Sequence, residues 1–196
     1  MKIVIAPDSY KGSLSSMEAA AAMEKGIKRF MPDADTVKVP IADGGEGTLD
    51  CMVAASGGEK VSVTVTGPMG EPVEAEYGLL DGGKIAVIEM AEASGLTLVP
   101  EERRNPLQAT TYGTGELIRA ALDRGCRHFI LALGGSATND GGIGMLQALG
   151  LRLTDRDGRE IPPGAGGGQL GAIATIDDRD FDARIRESRF VIASDV

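Results

Sequence analysis

Three segments concentrate glycines and polar side chains in patterns able to handle an anion. The densest is Gly134-Gly135-Ser136-Ala137-Thr138-Asn139-Asp140-Gly141-Gly142, between a predicted strand and a predicted helix. Glycines let backbone N–H groups approach an anion, and a helix N-terminus adds partial positive charge. Ser136, Thr138 and Asn139 add side-chain donors, and Asp140 could hold Mg²⁺. Residues 134–144 carry five glycines, more than a capped strand-to-helix loop needs, so a phosphate cradle is the favoured reading. The second segment, Asp43-Gly44-Gly45-Glu46-Gly47-Thr48, sets two carboxylates beside three glycines and suits a metal or a polar substrate. The plainer alternative is that Thr48 caps a helix. In the third, Pro7-Asp8-Ser9-Tyr10-Lys11-Gly12-Ser13, Asp8 falls just past a strand, where catalytic residues of open α/β sheets lie, and Lys11 is placed to meet an anion. Solvation of a surface loop is the alternative there.

Other features sort into supporting and misleading. Thr110, Thr111 and Thr114 precede a helix; capping explains one hydroxyl, and three invite a ligand. Asp195 follows the strand Phe190–Ala193 and, beside other carboxylates, could hold a metal or accept a proton. Gly78–Lys84 fits the start of a Walker A loop, but Ile85 replaces the required hydroxyl residue and the segment reads as a hairpin. Gly166–Gly171 fits G-x-G-x-x-G but follows Pro162-Pro163 rather than a strand. The lone His128 and the charge run at Asp177–Asp180 read as an edge histidine and a solvated face. What is left is a glycine-rich, acidic site at strand ends with no histidine base and no zinc set. That fits phosphoryl transfer, which is mostly positioning plus metal electrostatics. A Mg²⁺-dependent small-acid lyase or isomerase, or a non-catalytic module binding a phosphorylated metabolite, would use the same residues.

The elements that must position these segments are legible. Lys2–Ala6 reads as a strand, and Ser15-x-x-Glu18 as a capping box opening a helix over 16–30. A strand over 36–41 and a helix over 48–56 follow, the helix closed by Gly57-Gly58. This β-α-β-α order predicts a parallel sheet. From residue 60 the texture changes: strands over 60–66, 73–80 and 84–90, joined by glycine turns, predict an antiparallel meander. Helices over 114–124 and 142–149 then alternate with strands over 128–133 and 189–193. Residues 162–171 read as a flexible loop. The expected division is residues 1–60 in one α/β domain and 61–196 in a second with antiparallel strands.

The 196 residues carry 20 basic and 29 acidic side chains, net −9, which argues against a nucleic-acid groove or an anionic membrane surface. No apolar run spans a bilayer, and Met1–Ile5 reads as a strand rather than a signal peptide, so the cytoplasm is the expected compartment. Cys51 and Cys126 form no metal-ligand spacing and read as core thiols. Glycine, 28 of 196, is about twice its usual share of about 7%. A stop directly after a strand reads as a cut rather than an end.

Together, Ala6–Ser15, Asp43–Thr48, Ile88–Ala91, Ala93–Leu96, Asn105–Leu107, Thr110–Leu117 and Gly134–Met145 resemble, in order and along the whole chain, the signatures of the bacterial glycerate kinase family. Tyr10 stands where phenylalanine is usual. The resemblance implies ATP-dependent, Mg²⁺-assisted phosphorylation of D-glycerate, typically at the 2-hydroxyl, giving 2-phosphoglycerate, with 3-phosphoglycerate the other option. It implies a flavodoxin-like domain built from both chain ends, an inserted domain likened to restriction endonucleases, and an active site in the cleft between them. The family is about twice this length, so the chain reads as an N-terminal half, with a homo-oligomer left open. On this reading Gly134, Gly135, Ser136, Thr138 and Asn139 bind ATP phosphates. Lys11 meets the glycerate carboxylate or the transferring phosphoryl. Asp8, Asp43 and Asp195 are candidates for the base, and Asp43, Asp140 and Asp195 for Mg²⁺; the resemblance does not sort these roles.

Overall fold

The computed structural model describes residues 1–10 and 13–194. The chain opens with strand β1 (Lys2–Ile5), helix α1 (Ser16–Phe30) and strand β2 (Asp35–Lys38). β1 and β2 pair in parallel, Lys2 opposite Asp35. α1 starts where the capping box requires: the Ser15 hydroxyl accepts from the Glu18 N–H at 3.2 Å, and the Glu18 carboxylate accepts from the Ser15 N–H at 2.9 Å. β2 is shorter than expected because Pro40 has no ladder donor. Its last contact is the Val39 N–H donating to Ile5 O at 2.8 Å.

Helix α2 (Thr48–Ser56) leads into β3 (Glu59–Thr66), β4 (Pro72–Leu80) and β5 (Ile85–Glu89), the expected meander, then helices α3 (Met90–Ser94) and α4 (Tyr112–Asp123) and strand β6 (His128–Ala132). Helix α5 (Ile143–Ala148), strands β7 (Arg152–Thr154) and β8 (Thr175–Asp177) and strand β9 (Arg189–Ala193) complete the described chain. The main sheet runs β3-β4-β5-β6-β9, antiparallel through β5 and parallel from β5 to β9. This is a mixed α/β fold.

Period-2 patterning divides the sheet's faces. Ala86, Ile88, Phe129 and Leu131 join Leu117, Ile118, Ala121 and Leu122 of α4 in the principal core. Phe129 stacks on its register partner Phe190, ring centroids 4.7 Å apart. On the other face Val87 and Leu80 pack with Leu49 of α2. Helix α2, which lies before residue 60, thus packs on the larger sheet.

Two expectations change. α3 replaces the end of a strand predicted to run through Met90. The supposedly flexible 162–171 segment is built in: Gly168 N–H donates to Leu107 O at 2.9 Å, and the Gln147 side chain ties to Ile161 O, Pro162 O and Gly164 N–H. Among the described residues no helix is long and apolar enough to cross a membrane.

Candidate functional site

Because β5, β6 and β9 are parallel and in register, Glu89, Ala132 and Ala193 finish side by side. The segments leaving those ends share one edge of the sheet. Leu133 N–H donates to Ala193 O at 3.0 Å. Gly44 takes a left-handed φ of 94°, and a Cβ there would lie 2.6 Å from Ala193 O. A Cβ on Gly134 would run into the Cα of Gly45. The Asp43–Gly47, Leu133–Asn139 and Ala193 segments thus meet backbone to backbone, an approach only glycine permits. Asp43 belongs to this junction. Its Oδ1 accepts from the Gly45 N–H at 2.9 Å, and its other oxygen takes no hydrogen bond among the described residues.

The Gly134–Asp140 loop is held from both sides. Gly135 O accepts from Leu96 N–H at 2.8 Å and Ala137 N–H donates to Ser94 O at 2.9 Å. The Thr138 hydroxyl donates to Ala109 O at 2.8 Å and accepts from Asp140 N–H at 3.1 Å. Asp140, 1% exposed, is a hub. Its carboxylate accepts from Thr111 N–H at 2.8 Å, the Thr111 hydroxyl at 2.9 Å, Gly142 N–H at 2.8 Å and Gly144 N–H at 3.2 Å. The neighbouring threonines are spent likewise: Thr110 accepts from Tyr112 N–H at 3.2 Å, and Thr114 meets Ser94 at 2.9 Å. The hydroxyl-rich stretch that seemed to invite a ligand is internal carpentry. Gly135, Ser136 and Asn139 remain exposed.

Asp8 is exposed, its Oδ1 accepting from Ser9 N–H at 2.6 Å. It lines a hollow with β1 and α1 residues, away from Gly134 in sequence and in lining. Pro7 O nevertheless accepts from Ile41 N–H at 3.2 Å, so the segments leading to Asp8 and Asp43 run side by side. Lys11 and Asp195 lie outside the described residues. No group of three or more His, Cys, Asp or Glu side chains converges among the described residues. A cleft of about 650 Å³ is lined by Ser9, Ser13–Met17, Glu46, Gly47 and α2, and by Lys60, Glu89 and Glu92, residues from both sides of position 60. Cys51 and Cys126 are buried, and burial pushes both thiols up.

In the sequence Glu89 stands within the Ile88–Ala91 motif and carries no role of its own there. It ends an otherwise apolar strand, is 2% exposed, and accepts from Gly47 and Leu49 N–H groups. A lone carboxylate closing an otherwise apolar strand is the one sequence signal that could have singled it out.

The family model for the glycerate kinase family matches residues 3–196. The chain belongs to the glycerate kinase family. It is 57% identical to a glycerate kinase of Bacillus subtilis (strain 168) and 55% identical to a glycerate 2-kinase of Escherichia coli (strain K12), in each case over all of this chain and 51% of the relative. A crystal structure of a candidate glycerate kinase 2 from Salmonella typhimurium LT2 superposes with a TM-score of 0.81 at 54% identity, over 98% of this chain and 52% of that one. The chain therefore spans about half the length of the glycerate kinases it matches.

Proposed function

We propose that the chain forms half of an ATP-dependent kinase that transfers the γ-phosphoryl group to the 2-hydroxyl of D-glycerate. The observation that carries this reading is the junction of glycine segments at the ends of β5, β6 and β9, where Gly134 meets Gly45, two residues from Asp43, while Gly135, Ser136 and Asn139 of the same loop stay exposed. Family membership supports glycerate as acceptor, and the name of the Escherichia coli relative supports 2-phosphoglycerate over 3-phosphoglycerate.

In this reading Gly134 and Gly135 bring the backbone close to the ATP phosphates, and Ser136 and Asn139 donate to their oxygens. Thr138 and Asp140 hold the loop's shape from behind, since their polar atoms already have protein partners. Mg²⁺ fits the donor set: it is usually held by one or two carboxylates plus phosphate oxygens, and Asp43, whose second carboxylate oxygen takes no hydrogen bond among the described residues, would supply one; Asp195, outside the described residues, is the other candidate. When bound it would neutralise charge developing on the phosphates. Asp8, Asp43 or Asp195 accepts the proton of the attacking hydroxyl, and Lys11 meets the glycerate carboxylate or the transferring phosphoryl. The 650 Å³ cleft, lined from both sides of residue 60, is where the acceptor enters. The β1–β2 pair with α1 is the start of a flavodoxin-like domain, and the five-stranded sheet that of the inserted, restriction-endonuclease-like one. The division falls within 39–47, since α2 packs on β4 and β5. A cytoplasmic setting follows from ATP as donor.

The test is kcat for Asp43→Asn and Asp195→Asn in a full-length protein carrying this chain. A loss of at least tenfold in one or both is expected; smaller losses in both remove the pair from base and metal roles.

A further inference from the structure

Glu89 sits where β5 ends, and its carboxylate faces the start of α2, 40 residues earlier. Gly47 N–H lies 3.1 Å from each carboxylate oxygen, and Leu49 N–H lies 3.0 Å from Oε2. These are the N–H groups of the N-cap and of the first turn, which have no partner inside the helix. α2 has no side-chain cap of its own: Gly47 has no side chain, and the Thr48 hydroxyl is turned to Gly45 O at 2.7 Å. Glu89 is therefore the cap, supplied from a different element. The residues it fixes directly follow Asp43–Glu46, the segment whose Gly44 and Gly45 rest against Ala193 and Gly134.

Resting on the kinase reading above, we propose that Glu89 is a positioning residue for phosphoryl transfer: as a carboxylate it locks the α2 N-terminus, and so holds Asp43 in place against the Gly134 loop. It touches neither substrate nor metal in this role.

The surroundings make the lock sensitive to pH. Burial pushes the Glu89 carboxyl up to about 7, and the Leu49 and Gly47 N–H bonds pull against that rise. The charged groups facing it are Glu92 on α3 and Asp50 in the first turn of α2, both negative. Glu46 and Lys60 line the same cleft, and Lys60 is engaged by Asp50 at 2.5 Å and Glu76 at 2.9 Å. No cation is left over beside Glu89 among the residues described there. A proton taken up near neutrality removes the charge that the helix start holds.

The experiment is the pH dependence of kcat/KM, from 5.5 to 8.5, for glycerate-dependent ADP formation by the full-length wild type and Glu89→Gln. Wild type should lose about fivefold between pH 8 and pH 6, as expected for a group titrating near 7 whose uncharged form keeps about a tenth of the activity. Glu89→Gln, permanently uncharged, should be down about tenfold at pH 8 and flat from 6 to 8, with KM for ATP within threefold of wild type. A merely structural Glu89 would lower the amount of active enzyme and leave the shape of the profile unchanged; that result overturns the proposal. Should Glu89→Gln not fold, hydrogen exchange of the Leu49 amide in wild type, corrected for the intrinsic rate, takes its place. Less protection at pH 6 than at pH 8, through local opening of the helix start that leaves Glu89 buried, supports the lock; equal or greater protection overturns it. A wild type that never phosphorylates glycerate overturns the kinase reading and this proposal together. An active wild type with an unchanged Glu89→Gln profile overturns this proposal alone.

Discussion

Asp140→Asn separates two uses of one carboxylate. If Asp140 is the hub of the loop, its replacement damages the fold; if it holds Mg²⁺, the damage is confined to catalysis. The Asn oxygen is best placed at the Oδ2 position, where Thr111 N–H at 2.8 Å and Gly144 N–H at 3.2 Å keep their acceptor. The amide nitrogen then takes the Oδ1 position, 2.8 Å from Gly142 N–H, donor against donor. One charge-assisted hydrogen bond is lost and one donor is left without an acceptor, each costing about 1–3 kcal/mol. The sum, about 2–6 kcal/mol, corresponds to a melting-temperature drop on the order of 10 °C at roughly 2–4 °C per kcal/mol for a domain of this size. Thermal melts of wild type and Asp140→Asn, followed by circular dichroism with and without Mg²⁺, make the measurement. A drop below about 2 °C, with Mg²⁺-dependent activity lost, would refute the hub and return Asp140 to the metal.

Gly134→Ala should be destabilising by about 1–3 kcal/mol, because the new methyl meets the Gly45 backbone and neither strand end can retreat freely; urea unfolding checks it, and an unchanged midpoint would mean the two segments do not touch. Glu89 also predicts a pH dependence of stability opposite in sense to that of activity. Its folded carboxyl is raised from the ordinary 4.5 to about 7, so its favourable contribution is full below about pH 4.5 and is lost as pH rises through about 7, by at most about 3–4 kcal/mol at roughly 1.4 kcal/mol per unit. Urea midpoints of wild type should thus fall between pH 5.5 and 8.5 by more than those of Glu89→Gln; parallel trends in the two proteins would contradict it. The fold gives up stability to keep the capping charge, an exchange common at functional sites.

Elements with a strong local code were legible in advance. α1 begins and ends at the residues its capping box and Pro32 indicate, and the alternating valines 61, 63 and 65 with the Gly67–Gly70 turn foretell β3 and β4. α3 escaped because five residues continuing an apolar run carry no helical period, and β7 and β8 because three residues cannot display alternation. The glycine-dense segments lie together, Gly45 against Gly134, a juxtaposition that spacing alone does not disclose. Hydroxyl density misled, since a sequence displays donors and not their partners: Thr110, Thr111 and Thr114 face inward to the fold. Glu89 stayed hidden for the same reason. Its partners are backbone amides 40 residues away, and amides leave no mark on composition.

The central claim is that the glycine segments at the ends of β5, β6 and β9 serve phosphoryl transfer to glycerate. ³¹P NMR of a full-length protein carrying this chain, incubated with ATP, Mg²⁺ and D-glycerate, tests it most directly. ADP and 2-phosphoglycerate are expected in equal amounts, both dependent on glycerate. ATP left intact, or ADP formed with inorganic phosphate and no phosphoglycerate, would contradict it.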